Sequence, residues 1–256
     1  MASPSSGVER ARKDVSFGAQ APRRPLRWYL LARAALKLVA RGYSRLDVEG
    51  RDLVPPQPVL YCFSHQCWLD PMYVMAAVPR SPRVYFFGPK EIDMRRGVRN
   101  RLMRWFGLVI PFAPGARGLL AATHRAVELA AGGASIAIAG EGQIHCGESV
   151  LLPLKEGPAY IALRAGIPLV PVAVNGTGWL AYRRRVRVRF GAPVAPATSP
   201  TAKPDGAQVA ALTAATWDAL DRLVQGFPDR SVPGPLGRWV TEMFNEWPDG
   251  VRPGAS

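Results

Sequence analysis

Short apolar runs that alternate with helical patterns constrain the fold of this chain more than any other feature. Residues 59–63, 84–87, 109–112 and 135–139 are brief, mix β-branched and aromatic or small apolar side chains, and are bounded by Pro or Gly, which reads as buried strands. Helical periodicity lies between them. Residues 71–78 stop before Pro79 and Pro82, residues 118–131 stop at Gly132-Gly133, and a further helix runs to Ala165. Strand and helix in repeated alternation predict an α/β fold with a central, mostly parallel sheet flanked by helices. Residues 46–50 and 186–190 supply two more strand candidates.

The first central run leads into Ser64-His65-Gln66-Cys67-Trp68-Leu69-Asp70-Pro71. His65 therefore sits on a loop at a strand end. Asp70-Pro71 has the form of a helix start, with Asp as N-cap and Pro at the first helical position. A carboxylate five positions on, across a turn, can hold one imidazole nitrogen and leave the other to take a proton from a hydroxyl. The same two residues equally fit a plain helix cap beside a loop histidine, and the pair alone does not separate these readings.

At 256 residues the chain is long enough for one large core. Its formal charge of +14 implies an anionic partner: nucleic acid, acidic phospholipid or a phosphorylated substrate. Cys62, Cys67 and Cys146 form no Cys-x-x-Cys pair, which points to a reducing, cytoplasmic setting. No apolar stretch approaches the roughly 20 residues that span a bilayer. Residues 1–24 mix Ser, Gly, Pro and Arg and read as a disordered basic arm without the apolar core of a signal peptide.

Residues 25–45 form an amphipathic helix in this reading, with Arg27, Arg33, Lys37 and Arg41 along one side and Trp28, Ala32, Ala35, Leu36 and Val39 on another. That pattern suits a membrane interface, or a helix packed on its own domain with a solvated basic face. Residues 46–196 are the α/β domain. Residues 197–256 are a linker and two C-terminal helices, one with Val209, Leu212, Ala215, Trp217, Leu220 and Leu223, the other with Leu236, Val240, Met243, Phe244 and Trp247. Such stripes serve a core or a bilayer, the core being the commoner use. Residues 94–106 interleave five arginines with Leu102, Met103, Trp105 and Phe106. No RNP-like string, zinc-ligand spacing or helix-turn-helix accompanies them, so contact with an anionic membrane surface is expected and nucleic acid is not.

The string around His65 resembles the His-x4-Asp motif of the glycerolipid acyltransferases, the 1-acylglycerol-3-phosphate acyltransferase family, which typically reads Asn-His-x-Ser-x-x-Asp. Here Ser64 replaces the Asn and Cys67 the Ser. Further stretches resemble that family in the same order. Lys90-Glu91-Ile92 is similar to its Lys-Glu-Leu, whose lysine lies near the substrate phosphate. Gly140-Glu141-Gly142-Gln143 is similar to its Pro-Glu-Gly-Thr-Arg block, the segment around Lys155 to its Phe-Lys-x-Gly, and residues 166–176 to a Val- and Pro-rich strand near the acyl chain. Two family arginines are absent. Ala113 or Pro114 stands in place of one, with Arg117 a few residues on, and Ile144 stands in place of the other.

The resemblance implies acyl transfer from acyl-CoA or an acyl carrier protein to a glycerolipid hydroxyl, most directly that of 1-acyl-sn-glycerol-3-phosphate, without a cofactor or metal. His65 and Asp70 would be catalytic, and Lys90, Arg117, Glu141, Gly142, Gln143 and Lys155 would bind substrate. The missing arginines leave open another lysolipid or alcohol as acceptor. The protein would work peripherally on the cytoplasmic side of a membrane. The residues alone also admit a Cys67 or Cys146 nucleophile, a zinc site from His65, Cys67, His145 and Cys146, and a basic nucleic-acid-binding protein.

Overall fold

The computed structural model describes residues 25–90, 107–113, 115–194, 203–228 and 233–245. The basic arm, residues 94–106, Glu91, Ile92, Pro114, most of the linker and Trp247 lie outside them. The described chain runs α1 (Leu26–Tyr43), β1 (Arg45–Glu49), a short 3-10 turn (Arg51–Leu53), β2 (Leu60–Phe63), α2 (Asp70–Ala77), β3 (Val84–Lys90), β4 (Val109–Phe112), α3 (Ala116–Ala131), β5 (Ser135–Ala139), α4 (Gly157–Ala165), β6 (Leu169–Asn175), β7 (Arg185–Phe190), α5 (Gly206–Val224) and α6 (Pro235–Phe244).

These strands make one seven-stranded sheet in the order β1-β7-β6-β2-β5-β3-β4. Only the β6–β7 pairing is antiparallel, so β1 and β7 run against the other five. β2 is central, parallel to β5 on one side and β6 on the other, with Phe63 opposite Ala139 and Val172. All four of its residues are buried, as are all seven of β6, the pattern of strands covered on both faces. Because β2, β5, β3 and β4 all point the same way, their C-terminal ends share one edge, where α/β sheets hold their ligands.

α3 buries a file of small side chains, Ala122, Ala126 and Ala130, while Leu119 and Leu120, which the apolar periodicity would place inward, are exposed. α5 presents Val209, Leu212, Thr216, Leu220 and Val224 to the sheet, so its stripe is core. α6 is the opposite case. Its Thr241 hydroxyl accepts the Leu180 N–H at 2.7 Å and Asn245 Oδ1 accepts that of Trp68 at 3.3 Å. Leu236, Trp239 and Met243 face outward.

α1 packs on α2 through Tyr29, Ala32 and Ala40. Arg33, expected on a solvated face, is buried with them, and its guanidinium donates to the Val78 and Pro79 carbonyls at the end of α2. Carbonyls at a helix C-cap and just beyond it have no partner within the helix, and here an arginine from the neighbouring helix meets those of Val78 and Pro79. Much of the remaining apolar surface of α1, including Leu26, Leu31, Leu38 and Val39, stays exposed. None of the described helices is long and apolar enough to cross a membrane.

Candidate active site

His65 lies two residues beyond β2. The hydroxyl of Ser64, in between, accepts the Val174 N–H at 2.9 Å and donates to the Val174 carbonyl at 3.3 Å, which carries the β2–β6 pairing one rung past the strand. The Phe63 ring meets the imidazole edge-on at 5.9 Å.

Asp70 is the first residue of α2, not its N-cap; Leu69 holds that position and makes no capping bond. The carboxylate turns back on the loop before it and is wholly buried. Its Oδ2 accepts the N–H of Gln66 at 2.6 Å and of Cys67 at 2.7 Å, and lies 3.0 Å from His65 Nδ1. An oxygen gathering backbone N–H groups is an acceptor, so the ring presents its Nδ1–H there, and neutral His65 keeps a lone pair on Nε2. The His65 side chain is 14% exposed, enough to meet a ligand from the open side.

A second loop from the neighbouring strand closes on this one. β5 is followed by Gly140, where a Cβ would stand 2.6 Å from Cys62 Sγ, so only glycine lets the two strand ends come this near. Gly142 has φ +70, a left-handed turn, and residues 143–147 beyond it meet the loop that follows β2. The His145 N–H donates to the His65 carbonyl at 3.3 Å, and Gln66 Nε2 to the Gly147 carbonyl at 3.0 Å. The two motifs that resemble the acyltransferases are thereby fastened together.

Glu141 and His145 form a second acid–histidine pair, both buried, with His145 Nε2 2.9 Å from Glu141 Oε2. His145 Nδ1 lies 3.2 Å from the Cys146 carbonyl, which only accepts, so that nitrogen carries hydrogen. The contact between Nε2 and the carboxylate is an ion pair when the ring is protonated. Burial raises the Glu141 carboxyl above its ordinary range, with His145 and His65 opposing. Burial alone would lower His145, but Glu141 and the Cys146 carbonyl outweigh it and the net direction is upward. The sequence signal for this pair is the spacing of four between Glu141 and His145, which the nucleophile and zinc readings of His145 do not use. Gln66, Glu148 and Asn175 were also missed. Glu148 Oε2 accepts the Gly176 N–H at 2.6 Å and its carbonyl accepts from the Asn175 amide, tying the same loop to the end of β6.

The other expected substrate contacts spread along the sheet edge. Gln143 and Lys155 are exposed; the Lys155 N–H donates to the Gly140 carbonyl at 2.8 Å, and its Cγ would be 3.3 Å from a Cβ on Gly142. Lys90 is the last residue of β3, opposite Phe112. Arg117 is exposed in the first turn of α3 beyond β4. β4 stands three strands from β2, roughly 14 Å at the usual strand spacing, so Arg117 is remote from His65.

The cysteine alternatives fare differently. Cys67 is fully buried, and burial followed by the Asp70 charge pushes its thiol well above the ordinary range, which removes it as a nucleophile. Among the described residues no group of three His, Cys, Asp or Glu side chains is placed to hold a metal ion, so the zinc alternative has no site there.

A sequence-family model described as Acyltransferase matches residues 45–175, just over half of the chain. A curated relative, the chloroplastic 1-acyl-sn-glycerol-3-phosphate acyltransferase BAT2 of Brassica napus, is 29% identical over 138 residues, 53% of this chain; the chain spans only 39% of that relative's length. The crystal structure of the 1-acyl-sn-glycerophosphate (LPA) acyltransferase PlsC from Thermotoga maritima is similar with a TM-score of 0.56 at 19% identity, covering 87% of this chain and 84% of that one. This last likeness establishes a shared fold.

Proposed function

The chain belongs to the Acyltransferase family, and from that premise we propose that it transfers a fatty acyl group from a thioester, acyl-CoA or acyl carrier protein, to a hydroxyl of a glycerolipid. The preferred acceptor in this reading is 1-acyl-sn-glycerol-3-phosphate, as in the named relatives. The observation that carries the proposal is Asp70 Oδ2, held by two backbone N–H groups and set 3.0 Å from His65 Nδ1. His65 Nε2 takes the proton of the acceptor hydroxyl as its oxygen attacks the thioester carbonyl. The tetrahedral intermediate collapses with loss of the thiolate, which recovers the proton from the imidazolium.

Lys90, Gln143, Lys155 and the Glu141-Gly142 turn are assigned to substrate contact along the edge, within an acyltransferase domain of residues 46–196. Work at an anionic membrane surface, peripherally and on the cytoplasmic side, fits the charge of +14 and the exposed apolar residues of α1 and α6. One observation favours a second acceptor class: Ile144, where the family carries an arginine, is buried and apolar, and removes a fork suited to phosphate oxygens. The deciding experiment incubates the purified protein with labelled acyl-CoA and, separately, acylated carrier protein, against lysophosphatidate, other lysolipids and simple alcohols. Esterified product identified by mass is the expected result; no ester with any acceptor would overturn the enzyme reading.

A further inference from the structure

The far end of α2 carries a cleft of about 410 Å³ that the proposed chemistry does not use, a size ordinary for ligand sites. It is lined by Leu30, Arg33, Ala34, Lys37, Arg51 and Arg80: four cations from α1, the 3-10 turn and the connection after α2, and no carboxylate. Arg33 and one Arg51 N–H are occupied by the Val78 and Pro79 carbonyls. Lys37 and Arg80 make no ion pair or hydrogen bond among the described residues. Like charges at this density cost the folded state free energy. The Lys37 ammonium is pushed below its usual range by Arg41 first, then by burial and by Arg51, Arg33 and Arg80. Beside the cleft α1 exposes Leu26, Leu30 and Leu31, at 57%, 40% and 60%. A soluble anion would leave these side chains in water; a bilayer covers them.

We propose that this cleft seats the phosphate of an anionic lipid headgroup, with Lys37 and Arg80 donating to it and the leucines of α1 at the acyl boundary. The inference rests on the reading of the protein as a peripheral membrane enzyme and names the residues that read the headgroup. Arginine supplies a planar fork and lysine a point charge, a combination suited to phosphate oxygens.

The test uses the full chain and co-sedimentation with vesicles of phosphatidylcholine alone or mixed with phosphatidylglycerol. Wild-type protein binds the mixed vesicles and releases them as salt rises. K37E/R80E binds them at least about tenfold more weakly, from four charges changed near the surface, and retains turnover of soluble acyl-CoA. The double variant R164E/R222E makes the same change in net charge elsewhere and loses less than about twofold, so that bulk charge is separated from the cleft. Equal losses in the two double variants, or none in K37E/R80E, overturn the cleft while leaving membrane association intact. Failure of the wild type to bind either vesicle overturns both. Thermal stabilisation by inorganic phosphate that K37E/R80E abolishes, without vesicle binding, assigns the cleft to a free anion and overturns the lipid.

Discussion

The two ends of α2 handle charge in opposite ways. At its N-terminus a buried carboxylate is surrounded by donors, two backbone N–H groups and an imidazole, all on one oxygen. At its C-terminus two carbonyls are answered by two arginines, and Lys37 and Arg80 beside them are left over. Eight residues, about 12 Å of helix, separate these surroundings. A buried charge must be matched within the fold because its desolvation is otherwise uncompensated. Charge near the surface tolerates mismatch and keeps its affinity for something outside. The first end is therefore fit for chemistry on a ligand placed with precision, the second for holding a surface.

Substitutions at each end break this contrast in different measures. His65→Ala should lower kcat/KM by about 10²–10⁴-fold with the fold intact by circular dichroism; appreciable turnover would mean that the loop histidine is only structural. Asp70→Ala leaves the Gln66 and Cys67 N–H groups without an acceptor and should cost about 2–5 kcal/mol in urea unfolding. Asp70→Asn keeps an acceptor oxygen, so most of that stability returns while activity does not. At the other end, Arg33→Met orphans the Pro79 carbonyl and weakens the hold on that of Val78, at about 1–3 kcal/mol, yet should leave the pH dependence of turnover unchanged. An altered pH profile there would show that the two ends are not independent.

The smallest effect is the pH dependence contributed by the Glu141–His145 pair. Both shifts are upward, so the folded chain keeps a proton that the unfolded chain has released. The contribution of Glu141 is complete below its ordinary value of 4.5 and that of His145 below 6.5, and each declines as pH rises until the folded group itself loses its proton. The slope is at most about 1.4 kcal/mol per pH unit for each group. Urea midpoints should record it, and His145→Gln, which donates without titrating, should remove the part contributed by His145.

Much of this architecture could be read from residues alone, for identifiable reasons. The strand runs announced the sheet because a strand buried on both faces needs an unbroken apolar stretch, as in residues 60–63. His65 and Asp70 were readable together because the turn between them is short. The role of Asp70 toward the loop was not, since the same Asp-Pro pair describes a cap. Arg33 looked solvated because helical periodicity reports which residues share a side, not whose carbonyls lie under it. The stripes of α5 and α6 are alike in pattern, but one lies on β6 and the other faces out; what covers a face is tertiary information. Arg117 was near in sequence to a missing arginine and is three strands from His65 in space.

The two hydrogen bonds between the Ser64 hydroxyl and the Val174 backbone bear on selectivity. A histidine suspended from a sheet rung has no slack to take up, so under the proposed reaction an alcohol must bring its oxygen the whole way to the imidazole. An acceptor whose bulk stops it short is turned away by reach, before any property of its headgroup comes into play.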